Sequence, residues 1–285
     1  MTIEINICIL VTFYNNYDEL ERCLSRIKGQ KGVSNILIST YVLDDGSDVL
    51  MNTDGLLEKY DINLFRSSGG CYWCRGMSYL FDQIDTSIFS HFLLLNSDTF
   101  LDYGAISNLI TSECFFKENT GAIVGTVLDG KSISYGGRIS SSSLFPTRLK
   151  TISPSLTECK PCDTFNANVV LIPKIIIDKI GFLDPVYWHS LGDFDLGFRI
   201  SKTFNIFLAP GFLGECKVNQ LEVCNFSLSK GSVLDSIKSI CTHPKGIRLK
   251  DFFIYNSRHA GVFWLPLFFV VYIKYIVISI FNRYK

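Results

Sequence analysis

Each of four apolar runs in this chain is closed by polar or acidic residues, and no other feature limits its possible folds so strongly. Residues 5–13 finish in Thr12-Phe13-Tyr14-Asn15, and residues 36–43 lead into Asp44-Asp45-Gly46-Ser47. Residues 91–95 lead into Asn96-Ser97-Asp98, and His189-Ser190-Leu191-Gly192-Asp193-Phe194-Asp195-Leu196 opens a later amphipathic stretch. Short apolar runs bounded by turn residues read as buried strands. In an open α/β sheet, ligands bind beyond the carboxyl ends of the strands, so residues placed there converge on one crevice. Carboxylates in a crevice repel each other unless a cation or a proton-transfer task holds them there. The pattern points to an enzyme.

Helical patterns lie between the runs. Asn15 or Asn16 can cap a helix with Leu20, Cys23, Leu24 and Ile27 on one face, ended by Gly29 and Gly32. Residues 35–43 read as a buried strand, and 62–65 as a short one running into Ser67-Ser68-Gly69-Gly70. A helix with Met77, Leu80, Phe81 and Ile84 inward follows, then the strand ending at Leu95. A helix over about 103–116 and an apolar strand over 122–127 come next. Such alternation predicts a mostly parallel sheet covered on both faces. Asp129-Gly130 and Gly136-Gly137 then flank a hairpin, and residues 140–143 form a Ser-rich loop. A strand at 169–172 precedes a helix to Ile180 with Pro173 in its first turn. Another helix covers 193–203, with Phe194, Phe198 and Ile200 apolar. The expected organisation is a catalytic unit over 1–215, with halves 1–128 and 129–215, and a helical extension over 216–285.

Lys plus Arg total 27, as do Asp plus Glu, so no global basic field marks a nucleic-acid partner. No positively charged leader with an apolar core opens the chain, and Ile3 already begins a strand pattern, so export is not expected. Ten cysteines therefore read as reduced, small apolar residues. The pairs Cys71/Cys74 and Cys159/Cys162 lie far apart with no His at ligand spacing, which favours buried thiols over zinc. Residues 262–281 are overwhelmingly apolar, broken by Pro266, Lys274 and Ser279. That is close to the ~20 residues of a membrane span. Lys274 and Pro266 oppose a single span, and an interfacial helix whose Lys274, Arg283 and Lys285 reach lipid phosphates fits better. The alternative is a helix packed on the core. Lys245, Arg248, Lys250 and Arg258 add to the basic residues of this end.

Val11-Thr12-Phe13-Tyr14-Asn15, Leu43-Asp44-Asp45-Gly46-Ser47, Leu95-Asn96-Ser97-Asp98 and Gly192-Asp193-Phe194-Asp195-Leu196-Gly197-Phe198-Arg199 occur in this order within residues 5–215. Together they resemble the ordered signatures of family 2 glycosyltransferases, inverting enzymes of the GT-A fold. Tyr72-Trp73-Cys74-Arg75-Gly76-Met77 and the segment from His189 to Asp195 resemble bacterial transferases that build rhamnose- or galactose-containing surface polysaccharides. The resemblance implies an α/β, Rossmann-like sheet and a UDP- or dTDP-sugar donor. It also implies a glycan acceptor carried on polyprenyl diphosphate, Mn2+ or Mg2+ as cofactor, and work at the cytoplasmic face of the inner membrane.

By this resemblance, Thr12, Phe13 and Asn15 meet the base and ribose, and Asp44 or Asp45 accepts from the pyrimidine imide N–H, since a carboxylate only accepts. Gly46 permits the turn that follows, and Gly69 and Gly70 let the backbone approach the donor. Arg75 pairs with a phosphate, Trp73 stacks on base or sugar or fills the core, and Asn96 and Ser97 lie beside the donor. Asp98 is the metal ligand, with Asn96 standing where family members carry a first aspartate. Asp193 is the general base, taking the acceptor hydroxyl's proton as the oxygen attacks opposite the diphosphate. A diphosphate leaves without protonation, so one base and one cation suffice where glycoside hydrolases need two carboxylates. Asp193 can also cap its helix. Trp188 and His189 shape the acceptor pocket, and Asp195 orients the acceptor or fixes the helix start. Phe165-Asn166-Ala167-Asn168 resembles the segment before the acceptor loop. His243 and His259 could supply a late metal ligand, although neither sits in a motif.

Three other readings fare worse. A nucleotidyltransferase would show a Gly- and Lys-rich phosphate loop after Val11, and a dinucleotide oxidoreductase a Gly-x-Gly-x-x-Gly. An impaired relative acting as a membrane assembly subunit is opposed by the retained Asp98, Asp193 and Asp195.

Overall fold

The apolar runs are strands. β1 (Ile5–Phe13) leads through α1 (Tyr17–Lys28) to β2 (Ile36–Asp44), and α2 (Thr53–Tyr60) leads to β3 (Ile62–Arg66). α3 (Tyr72–Asp82) precedes β4 (His91–Asn96) and the short β5 (Thr99–Leu101). The computed structural model describes residues 5–48, 53–218, 232–244 and 246–281, so Ile3, Lys245, Arg283 and Lys285 lie outside the described residues. α1 turns Leu20, Cys23, Leu24 and Ile27 into the core, and its acidic first turn and basic last turn complement the helix dipole.

Two elements divide where the sequence reads as continuous. The helix over 103–116 is α4 (Ala105–Thr111) and α5 (Glu113–Phe116), separated by an extended Ser112. The strand over 122–127 splits into β6 (Thr120–Val124), which stays in the main sheet, and β7 (Val127–Asp129). β7 pairs with β8 (Ser132–Tyr135) as the hairpin. β9 (Gly137–Ser140) and β10 (Leu149–Thr151) pair around the Ser-rich segment, and β11 (Lys160–Cys162) and β12 (Thr164–Phe165) follow. β13 (Val169–Pro173) runs into α6 (Lys174–Ile180), with Pro173 at the cap rather than inside the first turn. The chain continues through α7 (Gly192–Ser201), β14 (Asn205–Leu208) and β15 (Gly214–Cys216). It ends in α8 (Val233–Thr242), α9 (Leu249–His259) and α10 (Trp264–Phe281).

The main sheet has eight strands in the order β11-β14-β6-β13-β4-β1-β2-β3. All share one direction except β13 and β11. Along β4, Phe92 and Leu94 enter one core while Leu93 and Leu95 enter the other. Burial on both faces explains why the strands read as unbroken apolar runs. Because β13 runs backwards, it begins where the parallel strands end, with Val169 level with Leu95. The reversal carries residues 166–168 to the carboxyl ends of β1, β2 and β4, where Thr12 is level with Asn96 and Phe13 with Asp44.

The cysteines are not all thiols. Cys114 of α5 and Cys159 form a disulfide with Cα atoms 5.8 Å apart, correcting the reading of a wholly reduced set. This bond also separates Cys159 from Cys162, which is a buried thiol.

α10 packs against α8 and α9. Phe268 turns inward to stack on Phe252, while Leu265, Phe269, Val270 and Ile273 are exposed. Residues Gly261–Ile278 have a mean hydropathy of 2.0, and the helix is long and apolar enough to cross a membrane by length and composition. Among the described residues nothing covers its outward face.

Candidate active site

The ends of β1 and β2 meet the loop before α3, and buried carboxylates organise that junction. Asp44, 2% exposed, accepts the Ser47 N–H at 2.8 Å and pairs with Arg66 at 3.2 Å. Asp45, 7% exposed, accepts Ser67 Oγ–H at 2.7 Å, Cys71 N–H at 3.0 Å and Tyr72 N–H at 2.8 Å. Three bonds occupy most of a carboxylate's acceptor sites. Both aspartates therefore hold loop backbone in place at the carboxyl end of β2. Gly46, at φ 73°, could carry no side chain here, because a Cβ would lie 2.6 Å from Gly69 Cα.

Phe13 lies beneath this junction. Its ring is buried edge-on to Tyr17, and its carbonyl accepts the Asp45 N–H at 2.9 Å. Thr12 is half-buried, and Gly70 is exposed on the loop. Asn15, at φ 56°, joins the first two loops: its Nδ2 donates to Asp48 at 2.7 Å and its Oδ1 accepts the Asp48 N–H at 2.8 Å. Asn takes the left-handed region more readily than most residues because its short side chain can hydrogen-bond nearby, as it does here.

Asn96 ends β4, and Ser97 and Asp98 form the turn to β5. Asn96 Oδ1 is buried without a hydrogen-bond partner, and the half-buried Asp98 accepts from Cys216 Sγ at 3.6 Å. Burial, reinforced by the Asp98 charge, pushes the Cys216 thiol up to about 12, so its S–H donates to Asp98. Burial and then Asp98 also raise the Glu19 carboxyl. An orphaned amide oxygen and a carboxylate two residues apart are hard donors that suit Mn2+ or Mg2+. Among the described residues no three His, Cys, Asp or Glu gather as a metal cluster. The residues thus fit a cation that takes its remaining ligands from a diphosphate. His259 is not a late ligand, since it is buried against Asp195, and His243 ends α8.

α7 starts after Leu191, left-handed at φ 72°, which places Asp193 in the first turn and not at the cap. Gly192 lies so close to α3 that a Cβ would sit 2.2 Å from Cys74 Sγ. Asp193 accepts the Phe194 N–H at 2.9 Å, with further bonds from the Ala167 N–H and the Asn166 side chain. Arg138 adds positive charge, and its Nε donates to Asn166 Oδ1 at 2.7 Å. Burial outweighs these and pushes the Asp193 carboxyl up to about 6. Such a group is ionised at neutral pH yet still basic enough to take a proton.

Asp195 points the other way. It is fully buried, accepting Tyr187 O–H at 3.1 Å, Arg258 Nη1 at 3.1 Å and Arg199 Nε at 2.8 Å, with His259 Nε2 at 2.8 Å. Burial opposes its charge, but the bonds from His259 and Arg199 hold the carboxyl well below the usual range. Asp195 is therefore a positioning residue and cannot touch an acceptor.

Arg75 also changes sides. Its Nε donates to the Pro185 carbonyl at 2.7 Å and its guanidinium lies 4.3 Å from the Trp188 ring centroid, so it faces the segment before α7. Tyr72 stacks on Trp188 at 6.1 Å and meets His189 edge-on at 6.5 Å. Trp73 packs against the core with its indole nitrogen buried. Sequence reading gave no place in the site to Arg138, Tyr187 or Arg258, the last of which it counted only among the basic residues of the C-terminal end. Arg138 reaches Asn166 because β9 pairs with β12, which no local spacing reveals.

Two solved structures share this architecture. The mannosyltransferase PcManGT from Pyrobaculum calidifontis, in complex with GDP-Man and Mn2+, superposes with a TM-score of 0.59 over 99% of this chain and 74% of its own, at 10% identity. TarS of S. aureus superposes with a TM-score of 0.55 over 90% of this chain, also at 10% identity. The fold is GT-A. This chain spans 44% of the TarS chain, less than half of it. No protein-family model matches the chain, and no curated protein is similar to it in sequence. Within the GT-A sheet the parallel strands present Asp44, Asp45 and Asp98, and the reversed β13 brings Asn166 to Asp193.

Proposed function

We propose that the protein is an inverting glycosyltransferase that moves a sugar from a nucleotide-sugar to a hydroxyl of a glycan acceptor. The observation that carries this reading is Asp193, a half-buried carboxylate raised to about 6 by burial in the first turn of a helix. Asp193 takes the acceptor hydroxyl's proton as that oxygen attacks the anomeric carbon opposite the departing diphosphate. Asn166 and the Ala167 N–H orient the carboxylate, Arg138 supports its charge, and Asp195 fixes the helix that bears it. Thr12, Asn15, Gly70 and Ser97 line the donor side, and Trp188 and His189 the acceptor side. Asn96 and Asp98 would hold Mn2+ or Mg2+, which when bound neutralises charge on the diphosphate. PcManGT, bound to GDP-Man and Mn2+, supports such a donor and cation.

The donor half is residues 1–128, the acceptor half 129–215, and residues 216–285 form the extension. The exposed α10 supports peripheral or monotopic attachment at the cytoplasmic face of the inner membrane. The acceptor is then a polyprenyl-diphosphate-linked glycan of a bacterial surface polysaccharide, and the donor UDP- or dTDP-linked. A thermal-shift screen of UDP-, dTDP-, GDP- and CDP-sugars with and without Mn2+ tests the reading, because a bound donor raises Tm by mass action. One nucleotide class should stabilise the protein, more so with Mn2+. Absence of any shift, or full turnover by Asp193→Asn, would refute it.

A further inference from the structure

Two arginines from distant parts of the chain share one aromatic ring. Arg75 of α3 lies 4.3 Å and Arg248, at the start of α9, 3.8 Å from the Trp188 ring centroid. The Arg248 side chain is 17% exposed, and Arg75 is half-buried. Asp251 answers Arg248, its oxygens 3.0 and 3.2 Å from Nη1. Among the described residues, the Arg75 guanidinium hydrogen-bonds only the Pro185 carbonyl. One carboxylate thus faces two guanidinium groups. Burial and the neighbouring Arg248 both disfavour the Arg75 charge. The Trp188 indole N–H at the same place is buried with no hydrogen-bond partner. Like charges and an orphaned donor under partial cover are costly until an anion completes them.

The surroundings say what that anion belongs to. Guanidinium forks match phosphate oxygens two at a time. On one side, Tyr72 and His189 connect Trp188 to the start of α7 and Asp193. On the other, Tyr272 of α10 donates to the Ile247 carbonyl at 2.8 Å, one residue before Arg248, and Phe252 of α9 packs on Phe268. The arginines therefore stand between the cleft and the exposed apolar helix. A ligand joining the two has a polar head, a phosphoryl group and an apolar tail.

We propose that Arg75, Arg248 and the Trp188 indole form an anion site for the phosphoryl group of an amphiphilic acceptor, a phosphate or diphosphate ester whose apolar chain runs toward α10. The proposal rests on the glycosyltransferase reading and gives Arg75 to the acceptor, not the donor. The donor's diphosphate and bilayer headgroups are other sources of the same chemistry, and the test separates them.

Farnesyl diphosphate is titrated calorimetrically into the full chain in EDTA, with farnesol as the tail-only control. Saturable binding is expected for the diphosphate and none for farnesol. Arg75→Gln and Arg248→Gln should each weaken binding at least tenfold, and Arg248→Lys, which keeps the charge but not the fork, less. Affinity should stay within threefold when the stabilising nucleotide-sugar is present. Competition by the nucleotide-sugar would overturn the proposal and assign the site to the donor. Gln variants that lose phosphatidylglycerol vesicles but keep farnesyl diphosphate would overturn it in favour of headgroups. Unchanged farnesyl diphosphate affinity in Gln variants that still show the nucleotide-sugar thermal shift would sink this inference alone. No nucleotide-sugar shift in the wild type would instead sink the reading beneath it.

Discussion

Asp193 and Asp195 stand two residues apart on one helix, and pH acts on them in opposite directions. Asp193 is raised from 3.8 to about 6 by burial, so the folded state binds its proton more tightly than the unfolded chain. The stability it contributes is present below pH ~4 and is lost as pH rises to about 6. Asp195 is held low, so its contribution is present above pH ~4 and is lost as pH falls toward its folded value. Transfer should therefore rise with unit slope up to about pH 6 and then level off, in a pH profile of kcat with saturating donor. Asp193→Asn should abolish transfer, and its stability relative to wild type should improve from pH 4 to pH 8 by on the order of 2 kcal/mol. A wild-type-minus-variant Tm difference that does not move with pH would remove the carboxyl from this environment.

At the scale of elements, the contact of α7 with α3 sets where Asp193 sits. Gly192→Ala drives a methyl into Cys74 Sγ and should cost about 2 kcal/mol in urea unfolding. Cys74→Ala should recover part of that loss in a double-mutant cycle, and additive effects would mean that the two residues do not touch in solution. β1, β2 and β4 are legible as unbroken apolar runs and α1 by its helical period, and the polar ends of these strands are legible with them. The reversed β13, the break at Ser112 and the Cys114–Cys159 bond are not, since each depends on a partner far away in sequence. The same holds within the site. The partners that close Asp45 lie 22 to 27 residues away, and His259 lies 64 from Asp195, so local pattern exposes the carboxylates but not what occupies them. Asp193 shows itself because its glycine and its helix start are adjacent in the chain.

For the whole molecule, the position of a truncation decides what it tests. Ending the chain after Gly261 removes α10 but keeps Arg258 and His259 on Asp195, and should leave a protein that shows the nucleotide-sugar thermal shift but no longer floats with phosphatidylglycerol vesicles. Ending it after Asn256 takes two of the four partners, Arg258 and His259, from a buried carboxylate and should destabilise the region around α7. Full-length protein recovered without detergent and indifferent to vesicles would defeat the membrane proposal. The dependence of Asp195 on His259 also bears on how the protein is born. A ribosome adds about 5–20 residues each second, so several seconds separate the synthesis of Asp195 from that of its partner 64 residues later. Through that interval Tyr187 and Arg199 are left to hold the Asp195 carboxylate without the two partners that α9 supplies.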